Sequence, residues 1–154
     1  MKPIFGPATD GIDHVNIYSA GRTELGRFMS NFAQAPIQTI DGSFASIEGY
    51  WYWLGCEHTD RDTLRTVSGF AAKKLGRALQ AEDWPNTSQF RLKIAVAILQ
   101  KLVASTGMCD ALEACGLPFT HYYVFAGKTV YPNGCDWLIQ TWNIARNLLR
   151  GNTL

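Results

Sequence analysis

Ser88-Gln89-Phe90-Arg91-Leu92-Lys93-Ile94-Ala95-Val96-Ala97-Ile98-Leu99-Gln100-Lys101-Leu102-Val103 sets Phe90, Ile94, Ala97, Ile98 and Lys101-Leu102 three and four positions apart. That is the spacing of one face of an α-helix, so residues 88–103 read as a helix with one side in a core. Upstream, Ile47, Tyr50, Trp51 and Leu54 recur at the same period behind Ser46, which can cap the first turn. A further helix follows Ser68, with Phe70, Ala71, Ala72 and Leu75 facing inward until Gly76 weakens it. Ahead of these, Ile37 and Ile40 precede Asp41-Gly42 and Phe44 follows, the pattern of a short hairpin turning on Asp-Gly.

Further out the elements shorten. His14-Val-Asn-Ile-Tyr-Ser19 alternates polar and apolar residues as a half-buried strand does, and a Gly-rich loop follows. Met108 to Ala114 reads as a short helix stopped by Gly116 and Pro118. His121-Tyr-Tyr-Val-Phe125 suits a pleated strand, which Gly127-Lys128 turns back through Thr129, Val130 and Tyr131. Asp136 can cap a last helix, in which Leu138, Trp142, Ala145 and Leu149 share a face. These elements predict an α+β fold, largely helical, with short β-strands and hairpins. They predict one compact domain over residues 1–154, with the 88–103 helix at its centre.

Composition narrows the function. Hydrophobic residues at 47% and charged residues at 18% describe a globular chain. A formal charge of +1 provides no general basic field. Cys56, Cys109, Cys115 and Cys135 show no C-x-x-C pairing and no zinc-finger spacing, so reduced thiols and no metal site are expected. The first residues lack the apolar stretch of a secretory signal, and no run is long enough to span a bilayer, which predicts a cytoplasmic protein without a membrane partner. Walker, dinucleotide, H-E-x-x-H and G-x-S-x-G motifs are absent.

Three features can carry chemistry. Tyr50-Trp51-Tyr52-Trp53 points aromatic rings in every direction from one helix. At a cleft such rings stack on a nucleobase; in a core they only fill space. Glu48 sits in the first helical turn, where a carboxylate is favoured electrostatically. Among apolar neighbours the same group can act as general acid or base. Lys73, Lys74, Arg77, Arg91 and Lys93 suit phosphate recognition as a cluster, while for any one of them a solvated helix face is the commoner reading.

Taken in order, Asn16-Ile-Tyr-Ser19, Phe28-Met-Ser-Asn-Phe-Ala33, Pro36-Ile37, Asp41-Gly42, Ser46-Ile-Glu-Gly-Tyr50, Ala71-Ala-Lys-Lys-Leu-Gly-Arg77 and Trp84 resemble the NADAR (YbiA-like) family over about residues 14–104. The resemblance implies a YbiA-like N-glycosidase. Its substrates would be small riboside phosphates, such as riboflavin-pathway intermediates, or ADP-ribose adducts of guanine, including ADP-ribosylated nucleic acid. It implies no cofactor. Glu48 falls at the family's functional glutamate and Trp84 at its functional tryptophan. Asn31, Phe32, Tyr50 and Arg77 match positions expected to shape the pocket, and Lys73 is a candidate phosphate contact or substitute catalytic amine. Gly49 stands where the family usually has histidine, and Gly55 where it has a lysine. After Leu112-Glu113 the chain runs into Pro118-Phe-Thr-His-Tyr-Tyr123 rather than the family's acidic residue and Trp-Gly segment. A nucleotide-binding module without turnover is the alternative reading.

Overall fold

The computed structural model describes residues 4–82, 85 and 87–152. The chain forms two compact units, one of residues 31–105 and one that joins residues 1–30 to 106–154.

The 31–105 unit is organised around a helix that is buried on every side. Strands β2 (Ile37–Thr39) and β3 (Gly42–Phe44) pair antiparallel, with Ile37 opposite Phe44 and Thr39 opposite Gly42. They follow β1 (Val15–Asn16) and α1 (Glu24–Met29), which belong to the other unit. The hairpin turns one residue earlier than its Asp-Gly dipeptide suggests, with Ile40 and Asp41 at the tip. Gly42 instead takes φ +106°, and a Cβ there would lie 2.8 Å from a guanidinium nitrogen of Arg65. Next comes α2 (Ile47–Leu54), capped by Ser46, whose hydroxyl accepts the Gly49 N–H at 3.0 Å and donates to the Val67 carbonyl at 2.9 Å. Tyr50, Trp51, Tyr52 and Trp53 are all buried. A helix apolar all round has to lie inside. The centre of this unit is therefore α2 rather than the expected 88–103 helix.

A 3-10 segment (Arg61–Thr66) buries Leu64 and leads to α3 (Gly69–Ala78). In α3 the inward residues are Ala72 and Gly76, whereas Phe70 is 77% exposed. The reason is close approach: a Cβ on Gly76 would lie 2.3 Å from the Tyr52 ring, so only the smallest side chains fit that face. Then α4 (Ser88–Val103) starts at a Thr87 cap and buries Phe90, Ile94, Ala97, Ile98, Lys101 and Leu102, the stripe its sequence predicts. Phe90 meets Trp51 edge to face at 4.7 Å.

In the other unit, β1 pairs parallel with β4 (Phe119–Thr120), Val15 opposite Phe119. Asn16 clamps the backbone of Tyr122, accepting its N–H and donating to its carbonyl, each at 3.0 Å. The α1 helix, capped by Thr23, lies in the stretch read as a loop. The remaining elements are α5 (Thr106–Ala114), the hairpin β5 (Tyr123–Phe125) with β6 (Lys128–Val130), and α6 (Asp136–Leu149). Asp136 lies inside α6 rather than capping it, because Cys135 occupies the cap position. Arg146 of α6 lies 4.2 Å over the Phe119 ring and donates to the carbonyls of Cys115 and Leu117. The four cysteines are free thiols. The fold is α+β and largely helical, with short strands and hairpins. No single helix among the described residues is long and apolar enough to cross a membrane.

Candidate functional site

The packing of α2 on α3 places most of the sequence-predicted residues. Ser46 bonds Val67, Tyr52 meets Gly76, and Gly55 accepts the Glu82 N–H at 2.8 Å. Contacts that ascend together along both segments mean that α2 and α3 run side by side in the same direction. Glu48 and Tyr52 are one turn apart on one face of α2, and Ala72 and Gly76 are one turn apart on the face of α3 that Tyr52 touches. The Glu48 side of α2 is therefore the side that α3 covers, through Ala72 and Gly76, while Lys73 is half-buried and Arg77 is exposed.

Glu48 is 9% exposed. Its backbone N–H donates to the Asn31 carbonyl at 3.0 Å, and the neighbouring Gly49 N–H is held by Ser46. Two first-turn amides of α2 are thus occupied by protein acceptors, which leaves an anion to side-chain cations. The same bond closes the Asn31-Phe32 segment onto the helix start. Phe32 then reaches α3, its ring edge to face with Phe70 at 5.1 Å. Asn31, Phe32, Glu48 and the first half of α3 accordingly form one neighbourhood.

Tyr50 lies outside it. Two positions on from Glu48, it points to roughly the opposite side of the helix. Its ring is 1% exposed, packed 4.6 Å from Phe44, and its hydroxyl donates to Asp41 at 2.7 Å. Asp41 also receives the Lys93 ammonium at 2.8 Å. Burial would raise the Asp41 carboxyl, but Lys93 and Tyr50 outweigh it and hold the group below the usual carboxylate range. Burial first, and then the Asp41 carboxylate, push the Tyr50 hydroxyl well above its ordinary value. Tyr50 fastens the hairpin to the helix, and Lys93 is engaged in the same tie. Trp84 lies outside the described residues.

Gly49 and Gly55 both lie tightly against neighbouring backbone. A Cβ on Gly49 would lie 2.5 Å from the Leu64 carbonyl oxygen and 3.1 Å from that of Val67, and one on Gly55 would lie 2.6 Å from the Glu82 carbonyl oxygen. All three obstacles are backbone, so neither the histidine nor the lysine fits this chain's packing.

Two further ionisable groups escaped the sequence reading. Lys101 is buried in α4, and burial pushes its amine down to about 7. Its signal was a lysine on an apolar stripe. In the other unit His14 is fully buried, its Nδ1 2.5 Å from an Asp13 carboxylate oxygen and its Nε2 2.7 Å from the Tyr122 hydroxyl. Phe5 stacks on the imidazole at 4.6 Å, and Tyr122 is 1% exposed. Burial first raises the Tyr122 hydroxyl to about 12, which together with its enclosure makes this chain of bonds a polar anchor.

No protein-family model matches the chain, and no curated protein matches it significantly. Among solved structures it is similar to the NMR structure of the E. coli protein YbiA, with a TM-score of 0.66 and 21% identity over 92% of this chain and 91% of that one. At that identity the likeness establishes the architecture: the chain has a YbiA-like fold.

Proposed function

We propose that the protein is an N-glycosidase of the NADAR type, cleaving the bond between a base and a ribose phosphate or ADP-ribose. The observation that carries this reading is Glu48, a nearly buried carboxylate in the first turn of α2, with the Asn31 backbone closed on it and α3 packed alongside. Glycosidic cleavage develops positive charge on the sugar, which a carboxylate stabilises while it activates water. Lys73 and Arg77 would hold the phosphate, and Asn31 and Phe32 would bound the pocket.

The test is Glu48→Gln, which keeps shape and hydrogen bonding but removes charge and proton exchange. Release of base from a riboside phosphate and from ADP-ribosylated guanosine should fall about 10²–10⁴-fold, with ligand affinity measured by calorimetry little changed. Turnover near wild type would remove Glu48 from the chemistry. Gly49 and Gly55 favour a second reading, a nucleotide-binding module without turnover, because the packing excludes two residues the family usually carries. Wild-type protein that binds ADP-ribose and releases no base would establish it.

A further inference from the structure

Helix α4 is apolar on both sides. Its buried stripe faces the core of its unit, and a second stripe, Leu92, Val96, Leu99 and Val103, runs along the opposite side. At about 100° per residue these four side chains fall within roughly 60° of one another. Leu92 is 64% exposed, Val96 44% and Val103 70%, with Leu99 half-buried between them. The β2–β3 hairpin borders the stripe. Lys93 holds Asp41 of the hairpin tip at 2.8 Å, and further along Pro36, Ile37 and Gln38 form a groove with Gln100 and Val103. Ile40, beside Asp41, is exposed as well. Four aliphatic side chains in one row on solvent exceed the scattered exposure of an ordinary surface.

We propose that this stripe is the seam of a homodimer, with α4 packed on α4 of a second copy about a two-fold axis. The order of the residues points to a helix as the partner. Spacings of four, three and four are those of the d and a positions of a heptad, which keep one line of contact between two helices. Leucine fills both d positions and valine both a positions, the combination that favours two strands. The seam itself carries no charge, so a second copy can lie on it without opposing like charges, as a two-fold contact requires. A lipid surface suits the site less. The adjoining groove is polar at Gln38, Ser43 and Gln100, and the Gln100 side-chain oxygen has no hydrogen-bond partner among the described residues. Acyl chains offer no donor, whereas a second protein surface does. The seam is only about 17 Å long, too short to reach the roughly 800 Å² per partner of a stable interface, so the dimer depends on concentration. It rests on none of the residues assigned to glycosidic cleavage.

Sedimentation equilibrium of the whole chain between about 1 μM and about 1 mM tests it, a range that covers the affinities of small interfaces. The mass should rise from the monomer's toward twice that value. Val96→Glu, near the middle of the seam, should weaken association roughly 100-fold or more, because each copy then meets a like charge. Leu92→Glu, more exposed and nearer one end, should weaken it about 10-fold. An equimolar mixture of Val96→Glu and Val96→Lys should associate again, which requires direct contact between copies at this position. Thermal melting of each variant at low concentration should match wild type, separating a lost contact from a lost fold. A chain that stays monomeric at about 1 mM overturns the proposal. So does a dimer indifferent to Val96→Glu, or a mixture that fails to recover. Wild-type protein that floats with phosphatidylcholine vesicles, loses this in Val96→Glu and forms no dimer would assign the stripe to a lipid surface instead.

Discussion

Single positions on α2 decide what chemistry its face can carry. Gly49 and Gly55 bring the helix against the backbones of Leu64, Val67 and Glu82, closer than any side chain allows. A histidine at residue 49 should therefore damage the fold rather than improve the site. Gly49→Ala is expected to cost about 1–3 kcal/mol by overpacking, with Gly49→His costing more. In a domain of this size that lowers Tm by roughly 2–4 °C per kcal/mol. Gly49→His melting with wild type would show that the 3-10 segment can retreat, and would reopen the question of a histidine in the site. Glu48 owes its place to Ser46 and Asn31, which hold the amides on either side of it. The glutamate was evident in the sequence, but its enclosure was not.

At the scale of elements, caps and small residues do most of the arranging. α3 ends with Ala81 N–H bonding the Gly76 carbonyl at 2.9 Å and Gln80 N–H bonding that of Arg77 at 3.0 Å, with Gln80 at φ +57°. This is a Schellman ending with glutamine in the left-handed position that glycine normally fills. Gln80→Gly is expected to stabilise the protein by about 0.5–1 kcal/mol, because relief of the left-handed strain exceeds the added freedom of the unfolded chain. Ala78→Gly, two residues earlier and still helical, should instead cost about 1 kcal/mol. Denaturant unfolding of the pair checks both signs; equal effects would mean that the turn does not select its residue. The α1 helix escaped the sequence reading because it is six residues long, and its cap at Thr23 sits among glycines that signal a loop.

For the whole molecule, the buried amine of Lys101 links stability to pH. Its folded value of about 7 lies below the ordinary 10.5. Between those values the unfolded chain binds more protons, so stability rises as pH increases through that window, by up to ~1.4 kcal/mol per unit. Below pH 7 both states carry the proton, and this contribution stays flat at its least favourable. Urea unfolding from pH 6 to 10 should show the rise in wild type and lose it in Lys101→Met. Identical pH dependence in the two proteins would mean that the amine stays charged where it is buried.

The sequence by itself determined the local elements: the α4 stripe, the capped start of α2, the hairpin around residue 41, and the largely helical class that the YbiA-like fold bears out. Each depends on contacts a few residues apart, which periodicity and caps encode. For α2 and α3, only the tertiary structure decided which faces turn inward. It made α2 the buried centre of its unit, and it sent Phe70 outward because Tyr52 leaves room for nothing larger than alanine or glycine on the facing side of α3. It also committed Tyr50 to Asp41 rather than to the Glu48 neighbourhood. Such outcomes depend on how closely two helices approach, a distance set by side chains far apart in the chain, which no local pattern records.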